Sequence, residues 1–302
     1  MTDRRAVLKS LALLPLAGCA TPPPATSPST TTITTTATTT TTAAPVHHDA
    51  LTELEKKFDA RLGVFAAGGD RTVEHRADER FAFCSTFKGL AAAAVLHHHP
   101  MTHLDTVVTY TEADLMKSSA ITRQHVRTGM TLRDLCDAAV RHSDGTAGNL
   151  LLREAGGPAE LTAYLRGLGD TVTRMDRIEP DITSAVPGDP RDTATPRSLG
   201  TDYRRLVLGD ALPPEKRAFL TDLLERSVTG AKRVRAGAPA GSRVAGKTGT
   251  GGYGTVNDIA VVWPPGREPV LVAVMSSRAA ADAGYDEALV AEAAAYVLKT
   301  LI

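Results

Sequence analysis

Ser85 and Lys88 stand three residues apart at the head of an alanine-rich run, Gly89-Leu90-Ala91-Ala92-Ala93-Ala94-Val95-Leu96. On a helix that spacing puts both side chains on one face, within reach of each other. The run has high helix propensity and almost no polar atoms, which predicts a buried helix. Its first turn carries unpaired N–H groups and the positive end of the helix dipole. A serine hydroxyl there, beside an amine in apolar surroundings, can be deprotonated and used as a nucleophile. Taken alone, the pair also fits a capping serine followed by an ordinary surface lysine, so the rest of the chain has to decide.

Composition narrows the choice. The chain has 302 residues, enough for a leader or linker plus one large domain. Lys+Arg and Asp+Glu both count 34 and aromatics are 4%, which gives no support for a nucleic-acid or other polyanionic partner. Three cysteines, Cys19, Cys84 and Cys136, do not make a disulfide framework. Residues 1–18 read as an export signal: Arg4-Arg5 resembles a twin-arginine pattern, and the apolar run Leu11 to Ala17 is too short to span a bilayer. Leu16-Ala17-Gly18-Cys19 resembles a bacterial lipoprotein signal, with a plain secretory signal as the alternative. A lipid on Cys19 would tether the protein to the outer face of the cell membrane without spanning it. Residues 19–48, mostly Thr, Pro, Ala and Ser, cannot bury enough apolar surface to fold and read as a disordered tether.

The folded part is expected over residues 49–302. Apolar spacing predicts a helix over Ala50–Arg61, and Gly68-Gly69-Asp70 turns a hairpin. The Ser85 helix ends in His97-His98-His99. Adjacent histidines point in different directions on a helix, so these read as a solvated helix end with no metal. Thr131 is the expected N-cap of a helix over Leu132–Val140, followed by the polar turn His142-Ser143-Asp144-Gly145 and further helix. Arg174 to Thr195 has no periodicity and reads as a compact Ω-type loop, after which helices return between Pro196 and Ser227. Strands are expected over Arg243–Thr250, Asn257–Trp263 and Pro269–Ser277, and a closing helix over Tyr285–Leu301. The fold class is therefore α+β. One five-stranded antiparallel sheet is built from both ends of the chain (lobe 49–80 and 228–302), and a helical lobe, 81–227, is inserted between them. A cleft between the lobes would hold a ligand.

Ser85-Thr86-Phe87-Lys88, Ser143-Asp144-Gly145, Glu179-Pro180 and Lys247-Thr248-Gly249 occur in the order and at roughly the separations of class A serine β-lactamases. From about Ala50 to Ile302 the chain resembles that family, its actinobacterial branch most. The resemblance implies a small-molecule β-lactam substrate, no cofactor and no metal, and a monomer. Catalytic roles would fall on Ser85 as nucleophile, Lys88, Ser143 as proton relay to the leaving nitrogen, and Glu179 as base for the hydrolytic water. The backbone N–H groups of Ser85 and Thr250 would form the oxyanion hole. Lys247, Thr248, Gly249 and Thr250 would hold the substrate carboxylate, with Arg233 as the arginine used in actinobacterial members. Arg177 and Asp192 match the pair that staples the Ω loop.

The chain departs from the family at several places. Gly145 replaces the usual Asn, and Ser118 stands where many relatives place an aromatic residue; both imply a wider cleft. Thr183 replaces an Asn that helps hold the water. Cys84 and Cys136 lack their family partners, Gly251 and Ala92 standing there, and are expected as free thiols. Two rival readings share the nucleophile: a D,D-peptidase of the penicillin-binding type, and a penicillin sensor or sink that stays acylated.

Overall fold

The main sheet of this chain has five strands, four of which carry apolar residues on both faces and need cover on both sides, while the edge strand Arg71–His75 buries only Val73. In a computed structural model that describes residues 47–302, the five are β1 (Arg61–Gly68), β2 (Arg71–His75), β3 (Arg243–Thr250), β4 (Val256–Trp263) and β5 (Val270–Ser277). All pair antiparallel, in the order β2-β1-β5-β4-β3. Alternation splits their side chains between two cores. Leu62, Val64, Val270, Val272 and Val274 face one core; Phe65, Leu271, Ala273 and Met275 face the other.

Helices α1 (Asp49–Phe58) and α8 (Glu287–Leu301) cover the first face, burying Leu51, Val290 and Val297 there. The second core continues into α2 (Phe87–His98), α3 (Leu132–Arg141), α4 (Gly145–Glu154), α5 (Pro158–Gly167), α6 (Pro196–Val207) and α7 (Pro214–Glu225). The expected α+β class and five-stranded antiparallel sheet are both present. α6 packs directly on β1, β4 and β5 and joins the helices to the sheet.

Boundaries differ in instructive ways. The first helix ends at Phe58, not Arg61. Asp59 turns into the left-handed region (φ 47°), and Arg61 already opposes Ser277 in the sheet. His48 donates or accepts at Tyr296 Oη, 2.9 Å away, so the chain is already packed there. The Ser85 helix opens with a 3-10 turn, Cys84–Thr86, before α2 begins at Phe87. Thr131 caps α3 as expected, its hydroxyl accepting from Asp134 N–H. The Ω segment is not wholly irregular, since Thr193–Ala194 pairs with Phe81–Ala82. The leader, Cys19 and nearly all of the tether lie outside the described residues. No helix among the described residues is long and apolar enough to cross a membrane.

Candidate active site

The N-terminal ends of α2 and α4 and the edge strand β3 converge on one cleft of about 1100 Å³, lined among others by Ser85, Ser118, Ser143, Glu179, Arg233 and Thr250. β3 approaches the Ser85 turn closely, because a side chain at Gly249 would sit 2.5 Å from the Phe83 carbonyl. Two residues at this junction hold the left-handed conformation without being glycine: Cys84 (φ 49°), just before the nucleophile, and Ser143 (φ 57°). Such strain persists only where the surroundings over-determine it. Tyr203 Oη donates to Thr86 O at 2.6 Å from below, and Asn257 Nδ2 donates to Ala82 O at 2.9 Å. Nothing in the residue types predicted that strain.

Lys88 is fully buried, and α4 can lie against it because Gly148 has no side chain; a Cβ there would be 2.6 Å from Lys88 Cε. Its ammonium has three acceptors: Ser85 Oγ at 3.0 Å, Ser143 O at 2.7 Å and Glu179 Oε1 at 2.7 Å. Burial pulls Lys88 below the ordinary lysine range, and the Glu179 carboxylate works against that shift. Ser85 Oγ in turn donates to Glu179 Oε1 at 3.1 Å. Across the cleft Lys247, also fully buried, donates to Ser143 Oγ at 2.9 Å. Burial, then the charges of Lys88 and Arg233, hold Lys247 well below its ordinary value.

The loop that carries Glu179 is fixed at two points. Asp192 Oδ1 accepts from the N–H groups of Asp176 (2.8 Å) and Arg177 (2.9 Å), while its Oδ2 meets Arg177 Nε at 2.5 Å. Asn149 on α4 clamps the glutamate backbone from both sides, donating to Glu179 O and accepting from Glu179 N–H, each at 3.0 Å. The Arg177–Asp192 pair was legible in the sequence. The Asn149 clamp was not; its signal is an amide one turn after the Asp144 N-cap, on the cleft face of α4.

The departures behave differently from expectation. The space left by Gly145 is not open cleft. A Cβ there would collide with Glu179 Oε2 and Ser118 Oγ, which themselves hydrogen-bond at 3.2 Å. Ser118, expected only as a missing wall, thus orients the loop carboxylate. Thr183 Oγ1 donates to Pro180 O at 2.7 Å, which leaves only its lone pairs toward the cleft. Arg233 is 4% exposed and donates to Gly249 O, Asn257 O, Glu287 Oε1 and Thr250 Oγ1, so one of its five N–H groups is left for a ligand. Thr248 Oγ1 pairs with Thr229 Oγ1 at 2.7 Å. Cys84 and Cys136 are free and buried as expected, and burial pushes each thiol up to about 12. Gly251 does stand beside Cys84, where a Cβ would be 2.7 Å from its sulfur.

A buried lysine on a serine, a second lysine on a second serine, and a loop carboxylate touching the first pair make a site for covalent acyl transfer. Comparison with known proteins then decides the family. Residues 47–301 match the β-lactamase enzyme family. This chain belongs to that family. It is a β-lactam hydrolase of the class A serine type. A β-lactamase from Mycobacterium tuberculosis is 57% identical, over 84% of this chain and 85% of its own length. One from Amycolatopsis lactamdurans is 54% identical, over 85% of this chain and 86% of its own. Among solved structures, the class A β-lactamase from Clostridium kluyveri superposes with a TM-score of 0.82 at 42% identity. It covers 83% of this β-lactamase and 97% of its own chain.

Proposed function

We propose that Ser85 is the nucleophile of this β-lactamase and that Glu179 serves both halves of the cycle. The observation that carries this is the three-way contact of Ser85 Oγ, Lys88 Nζ and Glu179 Oε1, with separations of 2.7–3.1 Å. All three N–H bonds of the Lys88 ammonium already have acceptors, so it has no lone pair to offer in this arrangement. Glu179 is then the group placed to accept the Ser85 proton. Ser85 Oγ bonds to the lactam carbonyl carbon, and the N–H groups of Ser85 and Thr250 stabilise the oxyanion, such a donor contributing about 3 kcal/mol. Ser143, backed by Lys247, protonates the lactam nitrogen as the C–N bond breaks, and the proton that Glu179 took from Ser85 passes on to replace the one Ser143 gave, which returns Glu179 to its carboxylate form. Glu179 next takes a proton from water, whose oxygen attacks the ester carbon, and Ser85 leaves with its proton restored.

Lys247, Thr248, Thr250 and the spare N–H of Arg233 form the positive side of the cleft and suit the carboxylate common to penicillins and cephalosporins. Gly145 makes room for the Glu179 carboxylate and Ser118, and Gly249 lets β3 approach the Ser85 turn. Arg177 and Asp192 hold Glu179 in place. The lobes are taken as 49–80 with 228–302, and 81–227. Upstream, the leader 1–18 is removed, Cys19 takes a lipid and residues 19–48 tether a monomeric domain outside the membrane.

The test mixes the purified protein with nitrocefin and follows turnover, then repeats it with Glu179→Gln by intact mass. Steady hydrolysis in the wild type, collapsing to a trapped adduct in the variant, supports the cycle. A trapped adduct in the wild type makes the protein a penicillin sink, and turnover unchanged in Glu179→Gln removes Glu179 from it. Release of the enzyme from membranes by Cys19→Ala tests the anchor; an equal membrane fraction refutes it.

A further inference from the structure

The two helices that present the catalytic side chains meet again at their far ends, and a second cluster lies there. α2 ends at His98 and α4 ends at Glu154. His99, the C-cap of α2, is extended (φ −125°, ψ 151°), so it leaves the helix on a different course from His97 and His98. Pro100 starts a 3-10 turn, Met101–Asp105, that brings the chain back. The His103 ring therefore stacks on His99, with centroids 4.0 Å apart and planes at 16°. Glu154 Oε1 sits 2.7 Å from His103 Nε2 and 3.8 Å from His99 Nε2. One ligand atom from each of the three lies within 4.8 Å of the other two. Among the described residues the only salt-bridge partners of Glu154 are these imidazoles.

We propose that His99, His103 and Glu154 form a binding site for a divalent transition metal, Zn²⁺ first among them. Two imidazole nitrogens and one carboxylate oxygen are a borderline donor set that suits Zn²⁺ over Mg²⁺ or Ca²⁺. Tetrahedral bonds of about 2.0–2.2 Å put ligand atoms roughly 3.3 Å apart. The shorter of the two contacts must open by about half an ångström and the longer close by as much. All three side chains are about 70% buried, with relative exposures of 28–32%, so they are held in place yet open to an entering ion. Three protein ligands leave a fourth position for water. Lys216 bears on His99 with a positive charge, as does His98 when protonated, and both oppose a cation there. The ion would pin the loop after α2 to the end of α4. α2 is 12 residues long, about 18 Å, so the effect would be on the scaffold and not on the acyl chemistry. Expectation from the sequence considered only His97 to His99; the pair that meets Glu154 is His99 with His103.

The experiment uses the untagged protein, stripped with chelator and titrated with ZnCl₂ by calorimetry, with the thermal midpoint and nitrocefin hydrolysis followed in parallel. One Zn²⁺ per chain at micromolar or tighter affinity, with a midpoint raised by several degrees, is expected. His103→Ala and, separately, Glu154→Gln should weaken binding at least tenfold while nitrocefin hydrolysis is unchanged; that activity shows both variants are folded. The double variant His97→Ala/His98→Ala should bind as the wild type does. No stoichiometric binding, or binding that survives His103→Ala and Glu154→Gln, overturns the proposal.

Discussion

Asp202 on α6 is fully buried beside Asp170, and neither of its oxygens has a hydrogen-bond donor among the neutral or cationic groups around it. Two carboxylates in such a place share a proton. Burial first, then the Asp170 charge, pushes the Asp202 carboxyl up to about 9, while Asp170 is held below its usual range by Thr173 and Val172 donors. Asp202 is thus expected to keep its proton at neutral pH, beside an Asp170 that fixes the chain just before the Ω loop. The consequence for stability has a definite sign. Below pH 3.8 the folded and unfolded forms both hold this proton. Above it the unfolded chain releases the proton and the folded one does not, so stability is lost steadily until about pH 9. The slope is about 1.4 kcal/mol per pH unit. Asp202→Asn keeps the size and shape of the side chain but cannot ionise. Relative to the wild type, the variant should gain about 3 kcal/mol between pH 6 and pH 8, or roughly 5–10 °C in thermal midpoint. Histidines such as His48 and His97, lowered by burial, change stability in the same range, but they are common to both proteins and cancel in the difference. Urea unfolding of the two proteins at several pH values measures it. A difference that does not vary with pH would refute the shared proton.

Further outcomes concern the loop and the cleft. Asp192→Asn should cost about 2 kcal/mol, less than a fully buried pair because Arg177 is partly exposed and keeps Asp189 at 3.9 Å; it should also prolong the acyl-enzyme in mass spectra, and an unchanged lifetime would separate the clamp from Glu179. Gly145→Asn has to displace Glu179 Oε2 and Ser118 Oγ, and should speed inactivation by clavulanate; an unchanged rate would mean that the glycine is not what sets inhibition. Arg233→Ala should raise KM for carboxylate-bearing β-lactams through the loss of its contact with Thr250, and an unchanged KM would leave that arginine a purely structural group.

The groups proposed to move protons were readable in the sequence because such chemistry needs particular atoms at fixed spacing. Ser85 with Lys88 and Lys247 with Thr248 each lie within one local element, so local geometry alone pairs them with the cleft. What stayed hidden was contact between elements. Ser118 and Gly145 were each understood as something missing, yet together they shape the pocket that takes the Glu179 carboxylate. A deletion on one element is visible in a sequence, but what moves into the gap depends on segments about 60 residues away. The same limit explains the strained Cys84 and Ser143 backbones. Cys84 is framed by Tyr203 on Thr86 and Asn257 on Ala82, and Ser143 by Lys88 at its carbonyl and Lys247 at its hydroxyl, contacts that come from other elements. It also explains His99 and His103. Four positions apart, they would share a face on one continuous helix; here a proline interrupts the helix, and the turn that replaces it stacks the rings. Sequence reading is therefore strongest for chemistry carried within one element, and the positioning residues between elements are where the structure adds most.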